Sequence, residues 1–280
     1  MHKIFLSLLV LVSFAFPQQY IYQYSLGKFN DASSFHINSA AFVYIVDAGN
    51  SQVFKIDTLG KSLKDVGGYG WQDSQFDSPS NVFATTLNIY VADKNNHRIQ
   101  RFDKDLNFIS SLYTRENDDQ NSRFGYPLGC VISNQGDLFI LDSENKRVVK
   151  FDLFGNYIQN FGGYDYGKYA LGSPLDMAAD QNNNIYVING KKIFIYDQFG
   201  NGMGEMESVE ELTSIKIVFN NMTITSKNNI YFLDLSKGFG RPEKLTLDFV
   251  QGAGDIKASF VFNAKLYVLT TKEILVYQKP

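Results

Sequence analysis

Asn88-Ile-Tyr-Val-Ala-Asp-Lys-Asn-Asn-His-Arg-Ile-Gln-Arg-Phe-Asp103 holds two strand-like runs around a polar turn. Ile89–Ala92 is β-branched and aromatic, Asp93–Arg98 is the turn, and Ile99–Phe102 is a second run of mixed sides, so the stretch reads as a β-hairpin. Copies flank it. Tyr44–Asp47 leads through Ala48–Gln52 to Val53–Asp57, and Leu138–Asp142 leads through Ser143–Arg147 to Val148–Asp152. Ile185–Asn189 with Ile193–Tyr196 is a fourth hairpin, Ile230–Asp234 is expected to open a fifth, and Lys265–Leu269 with Ile274–Tyr277 is a sixth. The residues closing the first run of each copy, Asp47, Asp93, Asp142, Asn189, Asp234 and Thr270, follow one another at 46, 49, 47, 45 and 36 residues.

Each copy carries two further segments. Ser78-Pro79, Tyr126-Pro127 and Ser173-Pro174 introduce one ahead of the hairpin, and a run such as Asn107–Leu112 follows it. Four short strands repeated six times at a period of roughly 44 residues describe a β-propeller. In Val148–Phe151, Ile193–Tyr196 and Ile274–Tyr277 both alternating sets include apolar residues, so both sheet faces need cover, which neighbouring blades supply. Tyr20–Gly27 resembles the run after the third hairpin, Tyr157–Gly162, whereas the chain stops at Pro280 soon after its sixth hairpin. Donating the first strand to the last blade closes the ring and removes exposed sheet edges. The fold class expected is all-β: a six-bladed β-propeller of four-stranded antiparallel blades.

Composition agrees with this and narrows the function. The 280 residues are 44% hydrophobic and 20% charged, with 24 Phe and 17 Tyr, which suits packed sheets. Met1-His-Lys3, the apolar run Ile4–Phe16 and Ser13-Phe-Ala15 form a secretory signal pattern, too short for the roughly 20 residues a membrane-crossing helix needs. Residues 1–15 are therefore expected to be removed, leaving 16–280 as one exported domain, periplasmic, surface-bound or extracellular, with no membrane span. Removal takes Lys3 and moves the net charge from −3 to −4, a balance that disfavours nucleic acid. Cys130 is the only cysteine, so there is no intramolecular disulfide and no zinc–cysteine cluster.

The run Val91–Asp103 resembles the NHL repeat, whose Asn-His-Leu-type triplet is matched by Asn96, His97 and, two positions on, Ile99; Gly70, Phe76 and Pro79 fit its usual lead-in. The match is closest in the second repeat, good in the third, and carried by period from the fourth onward. Six-bladed relatives that cleave peptidyl-hydroxyglycine hold zinc with three histidines, whereas His36 and His97 are the only two beyond residue 15. Lactonase and phosphotriesterase relatives hold calcium at the central channel, for which Asp176 and Asp255 are the candidate carboxylates. The resemblance thus implies either a binding module or, as the alternative, a calcium-dependent hydrolase or lactonase-like enzyme.

Asp47, Asp93, Asp142, Asn189 and Asp234 read as structural anchors, because Asp or Asn at a strand end bonds to turn amides and one residue per blade does not converge on an ion. No Gly-x-Ser-x-Gly turn is present, and Gly67–Gly70 and Gly200–Gly204 do not join a strand to a helix. No catalytic residue and no metal ligand is assigned; calcium is the one possible cofactor. In a four-stranded meander, the turn between strands two and three and the link to the next blade share a rim. That rim carries Tyr69, Trp71, Arg98, Tyr113, Arg147, Tyr164 and Tyr166, the candidate binding residues, while the opposite rim gets tight turns such as Asp57–Gly60 and Asp152–Gly155. Aromatic anchors among polar neighbours suit a protein, peptide or glycan. The expectation is a monomeric, exported, non-catalytic binding or scaffold module.

Overall fold

A computed structural model of the chain describes residues 19–238, 240–248, 250, 252 and 254–280; the signal peptide expected at 1–15 lies outside them. Six sheets follow one another around an axis. Blade 1 is Ala32–Ile37, Phe42–Asp47, Gln52–Asp57 and Ser62–Gly67; blade 2 is Pro79–Ala84, Asn88–Asp93, Arg98–Asp103 and Phe108–Tyr113. Blade 3 is Pro127–Ile132, Leu138–Asp142, Arg147–Phe151 and Tyr157–Phe161, and blade 4 is Pro174–Ala179, Ile185–Asn189, Lys192–Tyr196 and Gly202–Glu207. Blade 5 is Leu212–Val218, Asn221–Ser226, Ile230–Asp234 and a two-residue strand, Glu243–Lys244; blade 6 is Ile256–Phe262, Lys265–Thr270 and Ile274–Gln278. Gln19–Leu26 completes blade 6, with Tyr22 opposite Tyr277 and Leu26 opposite Ile274. The ring is closed as the sequence implied.

Blade 5 corrects the sequence reading. Ile230–Asp234 is its third strand, paired to Asn221–Ser226, and not the opening strand of a hairpin; Asp234 stands opposite Asn221, and Ser226 occupies the place of Asp93. The single strand expected near Lys244–Leu247 is divided: Glu243–Lys244 finishes blade 5, and Thr246–Leu247 crosses to pair in parallel with Gln19–Tyr20 of blade 6.

Apolar residues on both faces of each sheet fill six clusters, one per blade interface. Tyr44, Val46 and Val53 of blade 1 meet Val82, Val91 and Phe102 of blade 2, and Val131, Phe139 and Leu141 of blade 3 meet Ile185, Val187 and Tyr196 of blade 4. Each large side chain so buried contributes roughly 1.5–3 kcal/mol, which is how a ring without disulfides is held. In each blade the pairing of the innermost strand slips just after its first residue, as between Pro79 and Asn81. In blades 1 and 2 the residue at the slip reaches the next blade: Ser33 Oγ donates to the Pro79 carbonyl at 3.2 Å and Ser80 Oγ to that of Pro127 at 2.9 Å.

The disc therefore has two rims. A loop rim carries the turns between second and third strands and the links between blades. A turn rim carries the turns between first and second and between third and fourth strands. Among the described residues no helix is long and apolar enough to cross a membrane.

Candidate functional site

On the loop rim, the side chain at the end of the second strand in blades 1 to 4, a carboxylate in the first three and the Asn189 amide in the fourth, ties down the link that precedes its blade. Asp47 accepts the amides of Asn30 and Asp31 at 2.9 and 2.8 Å and the Asn50 side chain at 2.9 Å. Asp142 accepts the Gly125 amide at 3.1 Å and Asn145 Nδ2 at 2.8 Å, and Asn189 accepts the amides of Gly172 and Ser173. In blade 2, Asp93 is fully buried and gathers the Asp77 amide at 2.8 Å, Asn96 Nδ2 at 2.9 Å, Arg98 Nε at 2.7 Å and Gln100 Nε2 at 3.2 Å. Burial raises its carboxyl pKa against the lowering effect of those donors, the Asn96 side chain foremost. Asp234 ties down no link and instead accepts Ser236 and Lys237 of its own turn on the opposite rim.

Arg98 and Arg147 belong to the same fastening and are not free binding groups. The Arg98 guanidinium also donates to the carbonyls of Gln72 and Gln75 at 3.0 Å each, and Arg147 bonds Asp142 at 3.2 Å and the Arg123 carbonyl at 2.7 Å. His97 holds a left-handed conformation, φ 52°, at a position where blade 1 has Ser51 and blade 3 has Lys146 in the same conformation. The turn therefore needs the backbone shape and not an imidazole. Its Nδ1 accepts the Tyr126 amide at 3.0 Å while its ring meets the Tyr126 ring at 4.2 Å. Burial first, and Arg115 second, lower the His97 pKa, with Glu144 opposing.

Above this framework the aromatic residues project. Trp71, 52% exposed, stands edge-on to Tyr113 at 5.6 Å and over the Arg98 guanidinium at 5.2 Å. Tyr69, Tyr126 and Tyr164 are exposed, the last at 95%. Tyr166 is only half-exposed and packs against the interface of blades 3 and 4. Trp71 and Tyr113 thus form one pair, with Tyr69 exposed on the same link as Trp71, whereas Tyr126 packs on His97 and Tyr164 lies on the link into blade 4. Tyr126 and the Arg115–Glu144 pair, 2.6 Å apart, escaped the sequence reading. The one available signal was Tyr126 standing before Pro127 where the other copies have Ser78 and Ser173.

At the axis, Asp176 of blade 4 is buried. It accepts Asn81 Nδ2 at 3.1 Å, Ser214 Oγ at 2.8 Å and the amides of Met177 and Ile215, and pairs with Lys216 Nζ at 3.2 Å. With an ammonium and four hydrogen-bond donors around it, this carboxylate does not fit a calcium ligand. Asp255, the other candidate, is exposed on the link into blade 6. Among the described residues no three His, Cys, Asp or Glu side chains gather as metal ligands. Lys216, a lone cation in the inner strand Ile215-Lys-Ile217, is the axial residue the sequence reading passed over. His36 lies between Phe83 and Phe260, ring centres 4.8 and 5.3 Å away, and burial, then Lys216, brings its pKa down to about 3. Cys130 is buried and its thiol pushed up to about 12, which keeps it protonated and unreactive.

Known proteins show the same pattern. A family model described as the NHL repeat matches residues 76–102 and 124–151, the cores of blades 2 and 3. Protein brain tumor of Drosophila melanogaster is 32% identical over 140 residues, 48% of this chain and 13% of that protein. B-box type zinc finger protein ncl-1 of Caenorhabditis elegans is 29% identical over 141 residues, 48% of this chain and 16% of its own length. This chain spans less than a fifth of either relative. Among solved structures, a gluconolactonase from Xanthomonas campestris superposes with a TM-score of 0.64 at 11% identity, covering 91% of this chain and 88% of that one. An inactive virginiamycin B lyase from Staphylococcus aureus with quinupristin gives 0.61 at 14% identity, covering 89% and 80%. A chain of a nidogen–laminin complex gives 0.61 at 14%, covering 78% and 81%. At such identities these three share the fold alone. With six blades, ring closure by the first strand and NHL repeats matched in blades 2 and 3, the chain is a six-bladed β-propeller that carries NHL repeats.

Proposed function

We propose that the protein is an exported, monomeric, non-catalytic binding module that takes a protein or peptide partner, or a glycan, on its loop rim. The observation that carries this reading is the way Trp71 is held. Half its surface faces solvent, yet its ring is fixed by Tyr113 and by an arginine that is itself tied to Asp93 and two carbonyls. An aromatic anchor that is already ordered loses little conformational freedom on binding, so its apolar surface contributes nearly in full. Propellers of this shape serve as lyases, as lactonases and in a nidogen–laminin complex, so the fold leaves the choice open and the site must make it. The saturation of Asp176 by Lys216 and its other donors weighs against metal-dependent chemistry at the axis.

Trp71 is the only tryptophan in the chain, so intrinsic fluorescence reports on the site directly. A partner captured from an extracytoplasmic extract should shift or quench that emission. Trp71→Ala and Tyr113→Ala should each lower the affinity at least tenfold with no change in melting temperature. Capture unaltered in both variants would remove the loop rim from consideration.

A further inference from the structure

We propose that the turn rim, opposite the loop rim, docks on the surface of a zwitterionic lipid bilayer. Its tight turns end in large apolar side chains that touch water. Leu59 is 82% exposed, Phe154 81% and Phe199 65%, each the third residue of an Asp-x-x-Gly turn between third and fourth strands of blades 1, 3 and 4. Leu87 and Phe219 stand at the turns between first and second strands of blades 2 and 5. The geometry forces them outward. Asp57, Asp152 and Asp197 accept the amides of Leu59, Phe154 and Phe199 at 2.8–2.9 Å, which turns each backbone N–H inward and the side chain away from the disc. The apolar character continues down the flank: the second residue of each outermost strand in blades 1 to 4, Leu63, Ile109, Ile158 and Met203, is exposed next to this rim.

The residue types are segregated. Phe154, Phe199 and Phe219, the exposed phenylalanines among the described residues, all lie on the turn rim, whereas Tyr69, Trp71, Tyr126 and Tyr164 all lie on the loop rim. Apolar tips without polar handles, carried by blades 1 to 5 around a rim, suit a fluid apolar phase that closes around each tip separately. A folded partner would need a matching ring of pockets. A second copy of this chain fits worse, because face-to-face discs would set the rows of turn aspartates against one another. The cations on this rim are offset by carboxylates: Lys104 is paired with Asp105 at 2.8 Å and Lys237 with Asp234 at 3.5 Å, while Lys61 and Lys279 share the rim with the turn aspartates Asp57, Asp152 and Asp197. Attraction to anionic headgroups is therefore not the driving force, and the bilayer is a zwitterionic one entered by apolar insertion. Docked in this way, the disc presents its loop rim away from the lipid.

The test uses the chain from Gln19 onward, in which all six blades are complete, and large phosphatidylcholine vesicles in a flotation assay. The protein should float with the vesicles, undiminished by 0.5 M NaCl, as apolar insertion requires. Phe154→Ser and Phe199→Ser should each lower the partition coefficient roughly tenfold, the ratio expected for losing one inserted phenyl group. Both tips are exposed, so melting temperatures should be unchanged, and Trp71→Ala should float like the parent. No flotation of the parent would overturn the proposal, as would equal flotation of the double variant. Binding confined to phosphatidylserine vesicles and abolished by salt would overturn it too. A dimer that forms without lipid, and is lost in the double variant, would assign the surface to a second copy instead.

Discussion

Blades 2 and 5 solve one problem in opposite ways. Each must fasten the link that enters it to the turn between its second and third strands. In blade 2 the carboxylate sits at the strand end, and Asp93 collects donors from the link and the turn. In blade 5 the strand end offers only Ser226, and the carboxylate has moved to the link. Glu210 accepts Ser226 Oγ and Asn229 Nδ2 at 2.6 Å each, and the Tyr231 hydroxyl. Its acidity follows the exchange: these hydrogen bonds lower the Glu210 pKa, Ser226 first, whereas burial raises that of Asp93. The repeat signature is the record of one hydrogen-bonding arrangement. Where the arrangement is inverted, the signature disappears although the blade remains.

The comparison can be broken most directly at Asp93. Asp93→Ala leaves the Arg98 guanidinium buried without its counter-charge, and should cost about 3–5 kcal/mol in chemical denaturation, the range for breaking a buried ion pair. A loss below about 1 kcal/mol would show that the link holds itself. Acid sensitivity sharpens the contrast once the axial histidine is removed. The His36 pKa is lowered on folding to about 3, so the unfolded chain binds the extra proton. Stability present above the ordinary histidine pKa is thus lost at up to about 1.4 kcal/mol per pH unit as pH falls from about 6.5 toward about 3. His36→Phe places there the residue found at the matching positions of blades 2 and 6, Phe83 and Phe260, and should flatten that limb in urea titrations at pH 7 and pH 4.

With that background removed, the two carboxylates should respond in opposite directions. Glu210, held below its ordinary pKa, loses its contribution as pH falls through the folded value, and Glu210→Gln should remove this loss. Asp93, held above its ordinary value, takes up a proton more readily folded than unfolded, so its own linkage favours the folded state as pH falls through that window. Glu210→Ala at neutral pH should cost about 1 kcal/mol, since Ser226 Oγ keeps the Asn229 carbonyl as an acceptor and Asn229 and Tyr231 are partly exposed. The smallest effect belongs to the surface: Glu144→Ala, which frees Arg115, should change stability by roughly 0.2–1 kcal/mol.

Legibility in the sequence followed the hydrogen bonds. Blades 2 and 3 could be read residue by residue because Asp, Asn and Arg at fixed offsets from a strand end serve one local fastening. Blade 5 was misplaced by one strand because Asp234 falls 45 residues after Asn189, as the period demanded, while the true strand end, Ser226, has no carboxylate to betray it. The candidate site was legible in part. Strand parity put Tyr69, Trp71, Tyr113 and Tyr164 on one rim, but it could not show that Arg98 and Arg147 are consumed beneath them, since beyond Asp93 and Asp142 their acceptors are the carbonyls of Gln72, Gln75 and Arg123, which carry no sequence signal. Parity also made the opposite rim look like simple closure. Its exposed Leu and Phe tips are plain in the sequence, yet only the geometry of the Asp-x-x-Gly turns decides that they face water.

By itself, the sequence determined the six-fold period, the all-β class and the closing of the ring by the first strand, because these depend on alternation and spacing along the chain. Only the tertiary structure decided that Lys216 answers Asp176 across the axis, that blade 5 carries its anchor on the link, and that tyrosine and phenylalanine divide between two rims. Those outcomes depend on which atoms meet across separate blades, and distance along the chain does not encode that.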